Sequence, residues 1–372
     1  MRTLHSENKP SSLFMDKEHR NIDSQEVWSN SLSKAHSTEA MSSLNEVVSS
    51  FKAPIRFAFA YGSAVFRQTN QPMSDGLVDF VFAVNHPEHW HWLNIQQNAH
   101  HYSFLKYFGS RAIANIQTSY GAGIYYNAYV NINGIVCNFL NYQKLKYGVI
   151  SIDDLKSDLK NWNTLYISGR MHKPVIDYFN IQIRVIRDDT LISDAQKQNL
   201  SHALNVALLI LPAEFSERQL FTKIAQISYF GDFRMAIAEN PNKIINIVSQ
   251  QHREFRAIYE RLIDVSPHVS YMRGAYLAQD LSAKSRLEII KSLPENLKKR
   301  LLTLYDPQHE EQNVDQVIQQ LSSSPNLKQM VAKAVKDIVF GPSVTQSLKG
   351  LYTGGILNSM HYSWRKIKKR FY

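Results

Sequence analysis

The chain has 372 residues, 44% of them hydrophobic and 20% charged, which excludes a disordered polymer and suits two or three domains with packed cores. With 42 Lys and Arg against 32 Asp and Glu, the net charge is +10 and calls for an anionic partner: nucleic acid, nucleotide or acidic membrane. One cysteine, Cys137, excludes an internal disulfide framework or a cysteine zinc site and fits a reducing compartment, and no apolar run is long enough to span a bilayer.

Residues 1–50 read as a polar, Ser-rich leader. Its acids Glu7, Asp16 and Glu18 make it a poor presequence, and Met41 to Phe51 has the spacing of an amphipathic helix. Phe57–Tyr61 is a short apolar strand that breaks at Gly62-Ser63, and Leu77–Val84 is a second strand carrying Asp79. A helical or irregular piece follows through His89 to Phe108. Strand candidates at Ile124–Val130, Gly134–Leu140 and Lys144–Ile150 then complete a small mixed sheet, with Cys137 as a small core residue. From Ser151 the pattern turns helical: Leu155, Leu159, Trp162 and Tyr166 share a face in Asp153–Tyr166, with Ser151 placed as its N-cap. Helices are expected at Ser193–Leu211, Ser216–Ser228, Asn240–Ile263, Ala283–Leu304, Val314–Leu321 and Asn326–Val339, with a domain boundary near Lys173-Pro174.

A Gly-Ser turn after one strand and an acid on the next outline a nucleotidyltransferase site. Gly62 lets the backbone approach phosphates, Ser63 offers its N–H and hydroxyl, and Asp79 is a magnesium ligand on a rigid strand. The plain alternative is a β-turn and a strand-edge acid. A second carboxylate should sit two residues from Asp79, yet Leu77 and Val81 occupy those places and Asp75 stands in a turn. Lys146 reads as a phosphate contact or a surface lysine, and Arg170, His172 and Lys173 form a positive cluster. His100-His101-Tyr102-Ser103 is too polar for core and reads as structural or solvated. Gly231-Asp232-Phe233-Arg234 reads as a turn with an ion pair. In the last residues Leu357, Met360, Trp364, Ile367 and Phe371 fall on one helical face and Arg365, Lys366, Lys368, Lys369 and Arg370 on the others. Such a basic amphipathic segment suits an anionic membrane surface, packing on its own domain, or nucleic acid.

Seven blocks occur in a telling order: YGS-x-VF at Tyr61–Phe66, DFVFAV at Asp79–Val84, HHYSF at His100–Phe104, GAG-x-YYN at Gly121–Asn127, KYGVIS at Lys146–Ser151, DL-x-x-WN-x-LY-x-x-GR-x-x-KP at Asp158–Pro174, and GDFRM at Gly231–Met235. Together they make the chain resemble the mitochondrial CDP-diacylglycerol synthases of the translocator assembly and maintenance type. The resemblance implies an α+β fold. After the leader come a nucleotidyltransferase domain of the DNA polymerase β superfamily at 51–173, a mostly helical, winged-helix-like domain at 174–342, and a membrane-associating basic tail at 343–372.

The implied reaction joins CTP and phosphatidic acid into CDP-diacylglycerol and pyrophosphate with Mg2+, on the way to phosphatidylglycerol and cardiolipin. Tyr61, Gly62 and Ser63 would hold the nucleotide, Asp79 the metal, and Lys146, Arg170 and Lys173 the phosphates or phosphatidate. The implied location is peripheral, on the matrix side of the mitochondrial inner membrane, or on the cytoplasmic face of a bacterial inner membrane. No nucleic-acid partner is expected, and no pattern speaks to oligomeric state. The chain departs from the family pattern in Ala64, where Gly-Ser-Gly is usual, and in Asn85-His86-Pro87, where an acidic pair precedes the proline. Two other classes fit part of the pattern: a nucleotidyltransferase acting on RNA or protein, and a catalytically weak scaffold at a membrane.

Overall fold

The computed structural model describes residues 46–61, 78–130, 145–177, 190–237, 241–307 and 314–353. Strand β1 (Phe57–Tyr61) pairs antiparallel with β2 (Val78–Val84). The chain then runs through helix α1 (Pro87–Asn98), two 3-10 turns (Ala99–His101 and Phe104–Phe108) and helix α2 (Gly109–Ser119) to strand β3 (Ile124–Val130). Strand β4 (Leu145–Ser151) pairs antiparallel with β3 and parallel with β2. A last short strand, β5 (Ile176–Asp177), joins β1, so the mixed sheet runs β3-β4-β2-β1-β5. It thus takes one strand from beyond Pro174.

Alternation along β2 divides the core in two. Val78, Phe80, Phe82 and Val84 face Trp90 and Phe51, while Val81 and Ala83 face Phe57, Phe59, Leu155 and Leu159. A central strand buried on both sides reads as a continuous apolar run, which is why VDFVFAV is so conspicuous. The end of the expected leader belongs to this core: residues 46–49 are helical, and Val47 and Val48 are buried. Phe51 sets its ring edge-on to Phe82 and Tyr147, at 5.1 Å from each.

Helix α3 (Ile152–Asn161) opens on Ser151, whose hydroxyl accepts the Asp154 N–H at 3.0 Å. It stops short of the expected Tyr166. Trp162 takes a left-handed conformation, φ 54°, and the Asp158 carboxylate captures the next turn by accepting the N–H groups of Thr164, Leu165, Ile167 and Ser168 at 2.8–3.2 Å. This turn is shared between two cores. Tyr166, Ile167 and Met171 pack on the sheet, whereas Trp162 and Leu165 enter the core of the helical part.

That part comprises α4 (Thr190–Ile210), β6 (Glu214–Ser216), α5 (Glu217–Ile227), α6 (Phe233–Ile237), α7 (Lys243–Gln250), α8 (His252–Val265), β7 (Val269–Tyr271), β8 (Tyr276–Gln279), α9 (Ala283–Lys291), α10 (Glu295–Tyr305), α11 (Val314–Ser322) and α12 (Leu327–Thr353). The three strands form a small antiparallel sheet, β6-β8-β7, from segments that lie between the expected helices. The helix expected over Asn240–Ile263 breaks at Gln251, and that over Ala283–Leu304 breaks before Pro294. Helix α12 instead continues through Pro342.

Its far end clasps the sheet. Gln346 accepts the Ala122 N–H at 3.2 Å and donates to the Ile124 carbonyl at 3.3 Å. Lys349 is buried, donating to the carbonyls of Ile116, Gln117 and Tyr120 at 3.2, 3.1 and 2.6 Å; these belong to the C-terminal end of α2, where a cation suits the helix dipole. Among the described residues no helix is long and apolar enough to cross a membrane.

Candidate functional site

The sheet register aligns three of the expected residues. Tyr61, the last residue of β1, lies opposite Asp79 on β2, and Asp79 lies beside Lys146 on β4. All three project on the α3 side, because Asp79 shares parity with Val81 and Ala83. Lys146 Nζ is 3.2 Å from Asp79 Oδ1, and both side chains keep more than a quarter of their surface open, at 29% and 27%. Lys146 also lies over the Tyr126 ring, 4.2 Å from its centroid, and Tyr126 meets the Tyr61 hydroxyl at 3.3 Å. Gly148 makes room for this: a Cβ there would stand 2.5 Å from Ile124 Cδ1 and 2.6 Å from Tyr126 Cε1.

The Asp158 turn supplies the next cation. Arg170 stacks over Tyr166 at 3.9 Å, lies 5.5 Å from the Tyr61 ring centroid, and donates to the Tyr166 carbonyl. From the helical part, Arg234 comes within 5.8 Å of the same Tyr166 ring, held by a bidentate pair with buried Asp232 in which Nη2 meets Oδ2 at 2.6 Å. Burial pushes the Tyr166 phenol up, but Arg170, Arg234 and Lys146 outweigh it and bring the group below its ordinary range. Tyr61 is driven up, first by burial and then by Asp79. The outcome is a row of cations separated by tyrosine rings, with carboxylates at both ends. Cations held this close repel one another, and the arrangement favours polyanions.

Lys173 sits one step along. Its ammonium donates to the Gly169 carbonyl at 2.5 Å and the Ser228 hydroxyl at 2.8 Å and lies over the Tyr229 ring. Burial, with help from Arg170 and Lys243, pulls it well below the usual lysine range. Gly169 is needed for this approach, since a Cβ would stand 2.4 Å from Ser228 Cβ.

His172, expected in the positive cluster, carries no charge at neutral pH. It is buried, bonds Asn199 Oδ1 at 2.9 Å, and burial takes it down to about 3. Gly62 and Ser63 lie outside the described residues, as do Leu77, Asp75, Cys137, the Gly134–Leu140 strand candidate and the basic tail beyond Thr353, whereas residues 343–353 of the expected tail belong to α12. Among the described residues no group of three His, Cys, Asp or Glu side chains could hold a metal. Asp79 fits the minimal magnesium arrangement, in which one or two carboxylates act together with substrate phosphates.

The His100–Ser103 segment does different work from what its polarity suggests. His101 and Tyr102 are buried on the other face of the sheet, in a hydrogen-bonded network with His91, Asn94, Gln117 and Tyr147. Only His100 stays exposed.

The family described as "Phosphatidate cytidylyltransferase, mitochondrial" matches residues 44–369. The chain belongs to the mitochondrial phosphatidate cytidylyltransferase family. The enzyme of that name from Xenopus laevis is 38% identical over 327 residues, covering 87% of this chain and 93% of the relative. Those from Mus musculus and Schizosaccharomyces pombe are 38% and 36% identical, covering 88% and 89% of this chain and 94% and 84% of the relatives. The resemblance read from the seven blocks thus holds over nearly the whole chain.

Tyr126, Tyr166, Arg234 and Asp232 belong to those blocks, but sequence reasoning did not give them a place beside Asp79. The parity of Tyr126 with Gly148 across β3 and β4 was a usable signal. The approach of Arg234 to Tyr166 was not, because it depends on how the two parts pack.

Proposed function

We propose that this chain is a phosphatidate cytidylyltransferase that forms CDP-diacylglycerol and pyrophosphate from CTP and phosphatidic acid, in the synthesis of phosphatidylglycerol and cardiolipin. The observation that carries the reading is the convergence of Tyr61, Asp79, Lys146, Arg170 and Arg234, drawn from five separate blocks, within a family match over residues 44–369.

A phosphatidate oxygen attacks the α-phosphorus of CTP, a new P–O–P linkage forms, and the bond to the β-phosphate bridging oxygen breaks as pyrophosphate leaves. A phosphomonoester with a second pKa of about 6 is largely dianionic at neutral pH, so the acceptor needs no general base. What it needs is positioning and charge neutralisation. Lys146 and Arg170 supply cations beside the strand ends, Lys173 follows Arg170 on the same turn, and Arg234 supplies a cation from the helical part. Tyr61 leads into Gly62-Ser63, which are the proposed phosphate cradle. Asp79 would hold Mg2+, which when bound neutralises phosphate charge; Lys146, 3.2 Å away, holds that carboxylate in place.

The finer fold assignment belongs to this proposal. Mixed sheet order and an acid-bearing β2 after the β1 turn support a nucleotidyltransferase domain of the DNA polymerase β superfamily. The order α4-β6-α5-α6-α7-α8-β7-β8, with a three-stranded sheet, supports a winged-helix-like domain. The proposed location is peripheral, on the matrix side of the inner membrane, with the basic segment beyond Thr353 as anchor. Truncation after Gly355 then weakens salt-sensitive vesicle association and leaves CTP binding intact. The direct test incubates the protein with CTP, magnesium and phosphatidic acid liposomes and follows both products. Absence of CDP-diacylglycerol sinks the reading, and label transfer to RNA or protein would replace it.

A further inference from the structure

The five-residue turn Phe104–Phe108 buries none of its side chains, although three are aromatic: Tyr107 is 82% exposed, Phe108 67% and Phe104 48%. Aromatic surface left open on this scale marks an interaction site. Its surroundings specify the partner. From His89 to Ile152 the sequence contains no Asp or Glu, and none occurs after Asp337.

The fold joins these two acid-free stretches. Phe108, Arg111, Asn115 and Ser119 recur at three- and four-residue steps along α2 and are all exposed, forming a strip from the aromatic turn to the end of that helix. There Lys349 of α12 is bonded to the last carbonyls of α2, and around it Leu348, Leu351, Tyr352 and Tyr120 are exposed. From Thr353 the chain continues directly into the segment containing Trp364 and five consecutive or near-consecutive basic residues, Arg365, Lys366, Lys368, Lys369 and Arg370.

We propose that the Phe104–Phe108 turn is a second bilayer contact: Tyr107 and Phe108 enter the interfacial region of an anionic membrane, and Lys106 and Arg111 meet its headgroups. Aromatic side chains favour that zone, and an acid-free strip avoids repulsion by anionic lipid. The choice of a lipid partner rests on the proposed lipid acceptor. A contact at each end of α2 fixes the protein's orientation on the membrane as well as its attachment.

The test uses the full chain and the double variant Tyr107→Ser/Phe108→Ser, sedimented with phosphatidylcholine vesicles with and without phosphatidylglycerol. Loss of two inserted aromatic groups lowers affinity for the anionic vesicles roughly tenfold or more. Turnover of CTP with a dispersed short-chain phosphatidate stays at the wild-type level. In a separate Tyr107→Trp variant, brominated acyl chains quench fluorescence beyond the wild-type extent, a readout that does not depend on the serine variant folding. Unchanged vesicle affinity, or no added quenching, overturns the proposal. So does a concentration-dependent dimer that the serine variant abolishes, because the turn is then a protein interface. Failure of the wild type to convert short-chain phosphatidate sinks the enzymatic reading instead and leaves the vesicle result interpretable.

Discussion

Two polar clusters lie back to back across one sheet, and adjacent residues of one strand serve them. Lys146 points to the side holding Asp79, Tyr126, Arg170 and Arg234, while Tyr147 points to the side holding His91, Asn94, His101 and Tyr102. The second cluster has the usual marks of a catalytic centre, with two histidines, two tyrosines and an asparagine all in contact. Yet its hydrogen bonds run among its own members: the Tyr147 hydroxyl accepts from Asn94 at 2.8 Å and meets His101 at 3.0 Å, and His91 bonds Tyr102 and Gln117 at 2.9 Å each, with Gln117 Nε2 left unpartnered among the described residues. It is buried and closed, and burial holds His91 down to about 4. The first cluster is charged, partly open and overfilled with cations. Charge that the protein does not itself balance, more than the presence of histidine, distinguishes a binding site from a structural network.

The largest expected effect tests the charged side. Asp79→Ala should lower CDP-diacylglycerol formation by at least about 10²–10³-fold, a magnitude typical of removing one electrostatic element from a phosphoryl-transfer site, while near-UV circular dichroism stays that of the wild type. Retained turnover would remove Asp79 from the site. The next test uses the neighbouring pair on β4. Lys146→Met should cost turnover about 10²-fold with less than about 1 kcal/mol of stability, since an ion pair this open is worth little to the fold. Tyr147→Phe should do the reverse, costing roughly 1–2 kcal/mol in urea unfolding through the groups left unpaired, with turnover of the folded enzyme little changed. If both variants lose activity alike, the two faces are not separable.

Acidification sharpens the contrast. Burial holds His91 down to about 4, and the same cause holds His172 to about 3 and His202 to about 4. The unfolded chain takes up protons near pH 6.5 while the folded chain does not, so stability is complete above that pH and falls as pH drops toward 4. For His91 alone the loss is on the order of 2–3 kcal/mol, and His91→Gln should flatten the urea midpoint against pH across that window. A profile unchanged by the substitution would mean that His91 is charged in the native state. The smallest effect is expected from Asp232→Asn, which keeps the shape but halves the grip on Arg234. It should raise the KM for phosphatidate severalfold with kcat little altered, an effect a merely structural ion pair would not produce.

The sheet was legible because its strands are short apolar runs closed by glycine and serine, and β1, β2, β3 and β4 fall where their patterns put them. Ser151 was legible as a cap for the same local reason. What was not legible depended on partners distant in sequence. The α3 helix ends early because Asp158 reaches forward to four amides, although Trp162 and Tyr166 keep helical spacing. The strands β6, β7 and β8 are three or four residues long and carry no alternation that a reader could separate from the surrounding helices. His101 and Tyr102 looked too polar for core because their burial is conditional on Asn94 and Tyr147 arriving to bond them. In the site, Asp79 and Lys146 were visible as residues, but their 3.2 Å approach follows from the parallel register of β2 and β4.

The clasp made by α12 bears on the order in which the protein can be completed. Gln346 and Lys349 are joined to Ala122, Ile124 and the end of α2 across sequence separations of 222 to 233 residues. While the chain is being made, the carbonyls at the end of α2 and the first amide and carbonyl groups around β3 must wait, exposed to water, until α12 has been synthesised. The first-made unit is therefore finished by a helix that lies 222 to 233 residues further on. A nascent or truncated chain ending before Gln346 holds the site residues without the brace behind Tyr126, and such a product is a substrate for chaperones and proteases before it is an enzyme.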